Sequence, residues 1–580
     1  MAGQVNNRII EKNWILKGHA NEMEIESLSS ALSIDKPLAN LLIQRGLKTH
    51  EQAKSFFHPD ISELHDPFLM KDMDVAVNRI EAAIRNGESI MIYGDYDVDG
   101  TTSVALIYTF FRQFYKYLDF YIPDRYDEGY GISYKGIDYA FEQGYSLIIA
   151  LDCGIKATEK VQYASRKGID FIICDHHNPG DSIPQAVAVL DPKRPDCNYP
   201  YNELSGCGVG FKLIQAYSAK NNIPFDELKK YLDLVAVSIA SDIVPVTGEN
   251  RVLAYYGLKQ LNENPGNGLK AIIELSGIAD KEINVEDVVF KIGPRINAAG
   301  RIESGKSSVN LLISDNKEEA KIIGEKVEVY NETRRNIDNT ITQEALAIVD
   351  QDSKLVKGKT TVLFNPKWHK GVIGIVASRI IDTHYKPTVI LTESNGFATG
   401  SARSVSGFDL YQAIESCSDL LENFGGHKYA AGLTMKLENI GKFQKRFEKY
   451  VEDTITPEQL IPVVEIDTEI DLNDISPNFF KILKQFEPFG PENMTPIFLT
   501  ENVVDNGTGK TVGVKGDHLK LNLIQESDPY KVYPAIAFQQ GARYQGIRNG
   551  NAFDICFSIE ENEFMGRKTL QLNIKDIKFD

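Results

Sequence analysis

Several things are missing from this 580-residue chain, and each absence removes a class of protein. No run approaches the roughly 18 apolar residues that a membrane-spanning helix requires. The opening MAGQVNNRIIEKNW also lacks the apolar core of an export signal. A soluble, cytoplasmic protein with no membrane association is expected. The six cysteines, Cys153, Cys174, Cys197, Cys207, Cys417 and Cys556, stand without CxxC spacing, which argues against both a zinc ribbon and a disulfide framework. No GxSxG nucleophile elbow is present, and no P-loop nucleotide site is expected. Tandem repeats and low-complexity stretches are absent too. Positive charge is scarce: 63 Lys and Arg against 81 Asp and Glu leave −18, the wrong sign for coating nucleic acid by bulk attraction. A polyanionic substrate must then meet locally concentrated cations, with metal ions offsetting any acidic site.

What is present has the length of three or four domains. From residue 89 to 244 one pattern recurs: a short β-branched apolar run, then an acid with small neighbours, then a helical stretch. That is the signature of a parallel α/β sheet. The runs are SIMIYGD ending at Asp95, SLIIALD ending at Asp152, DFIICDHH ending in Asp175-His176-His177, and AVAVLDP with Asp191. Helices are expected over 101–117 and 134–143. This domain spans 76–250, and residues 1–75 are expected to pack on it. Residues 251–353 read as a helical connector whose charged part, 317–351, forms one long helix. A smaller α/β domain, 354–455, carries strand TTVLFN, helix GVIGIVASRIIDTHY, strand PTVILTE, then GFATGSARS, a helix around 409–422 and FGGHKYAAGLTM. Beyond that, over 456–580, short alternating runs such as PIFLTENVV and LQLNIKDIKF predict a small β-barrel.

The chemistry is concentrated in the first domain. Asp95, Asp97 and Asp99 lie in GDYDVDG directly after a buried strand, with Gly94 and Gly100 permitting a tight turn. Carboxylates crowded there repel one another unless divalent cations sit between them. A calcium-binding EF-hand loop is excluded, because Leu106 stands where its Glu is required. Asp152 ends the second strand, where open α/β sheets bind ligands, although a strand-end Asp is also a common turn former. The imidazoles beside Asp175 favour manganese, iron or zinc over calcium. Asp242, in SIASDIVP, is an ordinary cap by itself and gains weight from its company. Together these groups supply ligands for two metals that activate water and stabilise both oxygens of a phosphoryl displacement. A metal-dependent phosphodiesterase follows.

The strings GDYDVDG, LDCGI, DHH and SDIVP, in that order, resemble the DHH phosphoesterase superfamily. The further strings KIGPRINAAGRI, WHKGVIGIVASRI, GSARS and FGGHKYAAG resemble its RecJ family in particular. The resemblance covers nearly the whole chain from about residue 42. It implies an α/β multidomain fold: a parallel-sheet DHH domain, a long connecting helix, a smaller α/β DHH-associated domain and a C-terminal OB-fold β-barrel. It implies a 5′→3′ exonuclease specific for single-stranded DNA, releasing 5′-mononucleotides in recombination and repair with two divalent ions, Mn2+ or Mg2+. Asp97, Asp99, Asp152, His176 and Asp242 would be the metal ligands, with Asp152 bridging. Asp95 would be a further ligand or a partner to one, and His177 a phosphate contact or acid. Arg295, Asn297 and Arg301 would touch DNA between the two α/β domains. Arg125, Ser401 and Arg403 would hold the 5′-terminal phosphate, since a guanidinium fork suits a phosphate oxygen pair. His369, Gly425, Gly426 and His427 resemble the associated domain's substrate side, and Tyr130 a base-stacking ring. On the barrel, Lys510, Lys515, Lys520, Phe538 and Arg543 are candidate strand contacts.

A monomer is expected, with single-strand-binding protein and a RecQ-type helicase as implied partners. Two other readings compete. A DHH phosphoesterase acting on short oligonucleotides is typically a compact two-domain protein and leaves the barrel unexplained. A catalytically inactive single-strand-binding scaffold would have lost metal carboxylates, and here every motif is intact.

Overall fold

A computed structural model describes residues 10–564 and 567–579, and the first nine residues of the expected 1–75 segment lie outside it. The chain forms two compact units. One comprises Ser55–Arg335 with Phe486–Met494, the other Met1–Lys54, Asn336–Gln485 and Thr495–Asp580.

The first unit is built on five parallel strands in spatial order Leu118–Tyr121, Ile90–Gly94, Leu147–Leu151, Asp170–Cys174 and Ala188–Leu190. Ile90–Gly94 and Leu147–Leu151 are buried along their whole length, which is why they read as continuous apolar runs: helices cover both faces of a parallel sheet. One face packs against Met73–Asn86, Val98–Phe111, Gly206–Lys220 and Leu232–Asp242. The other packs against Tyr134–Glu142 and Thr158–Arg166. The edge strand Leu118–Tyr121 was not expected, because its four residues LDFY are too few and too polar to carry a pattern. The helix predicted at 101–117 runs instead from Val98 to Phe111, so it starts inside the acidic turn with Asp97 as its cap.

The connector helix spans Lys317–Gln351, in agreement with its charge pattern. In the second unit a five-stranded sheet is ordered Leu421–His427, Ala430–Lys436, Phe397–Arg403, Thr388–Ser394 and Thr361–Phe364. The helix expected around 409–422 stops at Glu415, since residues from Leu421 onward are drawn into a strand against Ala430–Lys436. Five further strands close a barrel: Phe498–Asp505, Phe553–Phe564, Arg567–Lys578, Asp528–Ala537 and His518–Gln525, the last pairing back to the first.

Of the segment 1–75 expected to pack on the first domain, residues from Ser55 onward group with it, whereas the described residues up to Lys54 group with the unit that holds the barrel. Strand Asn13–Leu16 pairs in parallel with Val463–Ile466. The Trp14 indole N–H donates to Asp576 at 2.9 Å, and Lys17 pairs with Asp467 at 2.9 Å. Strand pairing across more than 400 residues of sequence leaves no local signal.

Helix Gly206–Lys220, which proves central to the site, is anchored by a fully buried ion pair. Lys212 Nζ donates to Glu249 Oε1 at 2.7 Å and to the His65 carbonyl at 2.7 Å. Glu249 also accepts from the Tyr199 hydroxyl and the His65 amide. Removing one member strands the other's charge in a dry interior. Lys212→Met is expected to cost about 3–5 kcal/mol in urea unfolding. Lys212→Met with Glu249→Gln should recover part of that loss, and equal losses in the two variants would contradict the account.

Candidate metal centre and substrate contacts

Gly94, Leu151, Cys174 and Leu190 stand in mutual register. The next residue of each strand, Asp95, Asp152, Asp175 and Asp191, therefore falls in one row along the carboxyl edge, all four buried. The strand order reverses at Ile90–Gly94, which makes this edge the topological switch point where such sheets bind ligands. Two residues beside the cluster lie in the left-handed region: Asp152, at the end of its strand, at φ 56° and Ile243, which caps helix Leu232–Asp242, at φ 61°. For a β-branched residue such backbone costs on the order of 1–3 kcal/mol. The surrounding packing holds the chain there, and the result turns the Asp152 and Asp242 carboxylates inward.

Asp97 caps helix Val98–Phe111 by accepting the Gly100 N–H at 3.0 Å. Asp99, one turn in, is gripped from the opposite side. The Gly206 and Cys207 amides at the start of helix Gly206–Lys220 donate to it at 2.7 and 2.8 Å, and the Ser238 hydroxyl at 2.7 Å. These donors were not among the expected site residues. Their one signal is SGCG, a cap serine followed by glycine, and the close approach explains the glycine. A Cβ on Gly206 would lie 2.7 Å from the Asp152 Cβ. Asp95 is braced by the backbone. Its two oxygens accept the Tyr96 amide at 2.6 Å and the Gly131 amide at 3.0 Å. Asp175 accepts from the Ile155 and His176 amides, both at 2.8 Å, and contacts His177 Nδ1 at 2.7 Å.

His176 is 5% exposed, and neither ring nitrogen has a hydrogen-bond partner. Its Nε2 nevertheless lies 3.2 Å from Asp152 Oδ1 and 3.5 Å from oxygens of both Asp99 and Asp242. Asp152 Oδ2 is likewise buried and unpartnered. Ligand atoms of Asp99, His176 and Asp242 gather within 4.8 Å of one another, as do those of Asp152, His176 and His177. Asp97 lies against Asp152. Burial and mutual repulsion push the carboxyls of Asp95, Asp97 and Asp152 upward, and that of Asp242 up to about 8. Unpartnered donor atoms converging from carboxylates and one imidazole fit divalent ions of the Mn2+ or Mg2+ class. His177 differs from His176, because its Nδ1 is engaged by Asp175. Burial works against its charge, but the Asp175 bond and carboxylate outweigh that and raise it to about 9.

Arg125 stacks over the Tyr96 ring at 4.4 Å and has one buried guanidinium nitrogen without a partner, beside Asp95 and Asp97. Tyr130 is half exposed and lies edge-on to Tyr96 and His177. Arg295 forms a fork with Glu328, at 2.5 Å through Nε, so much of its hydrogen-bonding capacity is spent on the connector helix. Asn297 is half-buried on the same helix, Gly293–Ile302. The Arg301 carbonyl accepts the Tyr126 hydroxyl.

Against expectation, residues 300–307, GRIESGKS, do fit the GxxxxGK[ST] spacing of a P-loop. The context of that motif is missing, since Gly300 lies in the last turn of helix Gly293–Ile302 rather than following a strand. Packing explains both glycines: a Cβ on Gly300 would meet the Tyr96 carbonyl at 2.8 Å, and one on Gly305 the Tyr96 Cβ at 3.1 Å.

In the second unit Arg403 Nη1 lies 3.0 Å from Ser401 Oγ, and burial lowers the guanidinium's pKa. A Cβ on Gly374, at the start of helix Ile373–Thr383, would sit 2.9 Å from that Oγ and 3.0 Å from Arg403 Nη2. A fork, a hydroxyl and a helix N-terminus together suit a phosphate. His369 Nδ1 accepts the Gly371 amide at 3.1 Å. Gly425, Gly426 and His427 end a strand rather than forming a free turn. Gly426, at φ 145°, has no room for a side chain, whereas His427 is exposed. On the barrel Lys510 faces Lys520 across two strands, and such like-charged pairs favour an anion between them. Phe538 is 54% exposed. Arg543 pairs with buried Asp576 at 3.0 Å.

Ligation requires the Asp242 carboxyl to lose its proton. Adding Mn2+ to the protein at pH 7 is therefore expected to release protons, with affinity falling as pH is lowered. Gly206→Ala, whose methyl meets Asp152, should weaken Mn2+ binding about 10–100-fold in calorimetry with the circular dichroism unchanged. Wild-type affinity in that variant would contradict the placement.

With this geometry in hand, three family models match the chain: the DHH family N-terminal domain over 89–239, the DHHA1 domain over 357–453 and the RecJ OB domain over 466–576. The single-stranded-DNA-specific exonuclease RecJ of Bacillus subtilis is 39% identical over 555 residues, covering 95% of this chain and 69% of the relative. The Escherichia coli protein of the same name is 31% identical, covering 88% and 90%. The crystal structure of RecJ with Mn2+ from Thermus thermophilus superimposes with a TM-score of 0.84 at 26% identity, covering 98% of this chain and 80% of that one. The three domain matches fall in the order of the parallel-sheet domain, the smaller α/β domain and the barrel, and the chain belongs to the RecJ family of DHH phosphoesterases.

Proposed function

We propose that this chain is a metal-dependent exonuclease that degrades single-stranded DNA from its 5′ end and releases 5′-mononucleotides. The observation that carries this reading is His176 Nε2 set 3.2–3.5 Å from oxygens of Asp99, Asp152 and Asp242, in a family whose curated members are single-stranded-DNA-specific exonucleases.

Asp97, Asp99, Asp152, His176 and Asp242 are the residues that would hold the metals. Two divalent ions supply a water nucleophile and charge neutralisation for the attacking and leaving oxygens of a phosphodiester. Within the chain, the Gly206 and Cys207 amides fix Asp99, and Asp95 braces the acidic turn against Gly131. The unpartnered Arg125 nitrogen offers a donor to a phosphate oxygen beside the cluster. Ser401 and Arg403 make a pocket for a terminal phosphate, which gives a physical basis for beginning at a 5′ end. Opposed Lys510 and Lys520, with exposed Phe538, suit the grip of an OB-fold on a single strand: backbone charge and base stacking without sequence readout. At a net −18 such local cations must act alone, so affinity should fall with salt. The expected setting is the cytoplasm, with a monomer working alongside single-strand-binding protein and a RecQ-type helicase.

One digestion tests the reading. With Mn2+ and end-labelled strands, 5′-mononucleotides are expected from single-stranded DNA, with duplex and RNA resistant. Asp97→Ala and His176→Ala should each lose at least about a thousandfold in rate. Release from the 3′ end, or full activity in either variant, would refute it. Arg403→Lys keeps charge and loses the fork. It should raise KM about tenfold for 5′-phosphorylated strands and leave 5′-hydroxyl strands unchanged, whereas equal effects on both ends would remove the phosphate pocket.

A further inference from the structure

The family resemblance suggests that the ring of Tyr130 stacks on a base, and it leaves the hydroxyl without a task. The phenol oxygen lies 3.3 Å from His177 Nε2 and 3.4 Å from the backbone carbonyl of Asp152. The other nitrogen of His177 lies 2.7 Å from Asp175 Oδ1. Asp175 is itself fixed by the Ile155 and His176 amides. The contacts form one continuous run: His177 Nδ1 faces Asp175, Nε2 faces the phenol oxygen, and the phenol hydroxyl faces the Asp152 carbonyl. That carbonyl belongs to the residue at φ 56° whose side chain enters the metal cluster.

The segment that carries Tyr130 is built to hold this position. Gly129 and Gly131, at φ 83° and 77°, flank it. On the far side the Gly131 amide donates to Asp95 and its carbonyl accepts from the Tyr93 hydroxyl at 3.0 Å. On the near side the Glu128 carboxylate accepts from Tyr121, Ser133 and the Asp124 amide. A ring needed only for stacking on a base does not require its hydroxyl to meet two fixed groups at once.

We propose that Tyr130 is a positioning residue: its hydroxyl is the third member of a hydrogen-bonded chain from Asp175 through His177 to the Asp152 backbone, and it orients the His177 ring over the metal-ligand cluster. Its ring and its hydroxyl then serve separate purposes. This inference rests on the exonuclease reading for its kinetic test and on geometry alone for its spectroscopic one.

Tyr130→Phe keeps the ring and removes the link. It is expected to lower kcat about tenfold, the effect of losing one hydrogen bond, with KM for single-stranded DNA and Mn2+ affinity unchanged. Tyr130→Ala should raise KM as well. In a His177→Asn background Tyr130→Phe should cost nothing further. A Tyr130→Phe protein as fast as wild type, or losses that multiply in the double variant, would overturn the proposal. Independently of activity, full-length protein with 15N-labelled histidine should show the His177 imidazole signals, identified by their loss in His177→Asn, shifted in Tyr130→Phe. Unshifted His177 signals would also overturn it. A wild-type protein without nuclease activity defeats the exonuclease reading instead, and the imidazole spectrum still decides the link.

Discussion

Like charges forced together out of water are the constraint around which the first unit is organised. In-register parallel strands place Asp95, Asp152 and Asp175 side by side at the sheet edge, and the Asp97 and Asp99 turn and the end of helix Leu232–Asp242 add three more carboxylates. Buried anions at such spacing are unfavourable unless protonated or neutralised. The structure divides them accordingly. Asp95 and Asp175 are satisfied by backbone amides and a histidine, while Asp152 and His176 keep buried atoms with no partner at all. The second set is where a divalent cation would relieve the repulsion.

Much of the surrounding architecture serves that division. Helix Gly206–Lys220 aims its N-terminal amides at Asp99, where its dipole is most favourable to an anion. The buried Lys212–Glu249 pair fixes the same helix from its far side. Gly206 is glycine because Asp152 occupies the space of a side chain, and Gly300 and Gly305 because Tyr96 does. The candidate metal cluster thus depends on close backbone packing as well as on its ligand side chains.

Strand-end acids were legible in the sequence because a parallel strand buried on both faces announces itself as an apolar run and its last residue is then known. The long connector was legible for the opposite reason, as its charge pattern survives exposure. Contacts made across the sequence were not legible. SGCG gives no hint that it caps Asp99, and strand Asn13–Leu16 gives none that it pairs with Val463–Ile466. Nor were the carboxylate partners of Arg295, expected from the resemblance to touch DNA, and of Arg543, a candidate strand contact, visible in the sequence. The GRIESGKS string fails in the other direction: its spacing satisfies a motif, yet its glycines answer to the packing of Tyr96.

The central claim is that the unsatisfied members of the cluster form one two-metal centre. Anomalous diffraction from crystals soaked in Mn2+ measures this directly. Two peaks about 3.5–4 Å apart, with Asp152 between them and Asp97, Asp99, His176 and Asp242 around them, is the predicted result. A single ion, or manganese bound away from His176, would contradict the account.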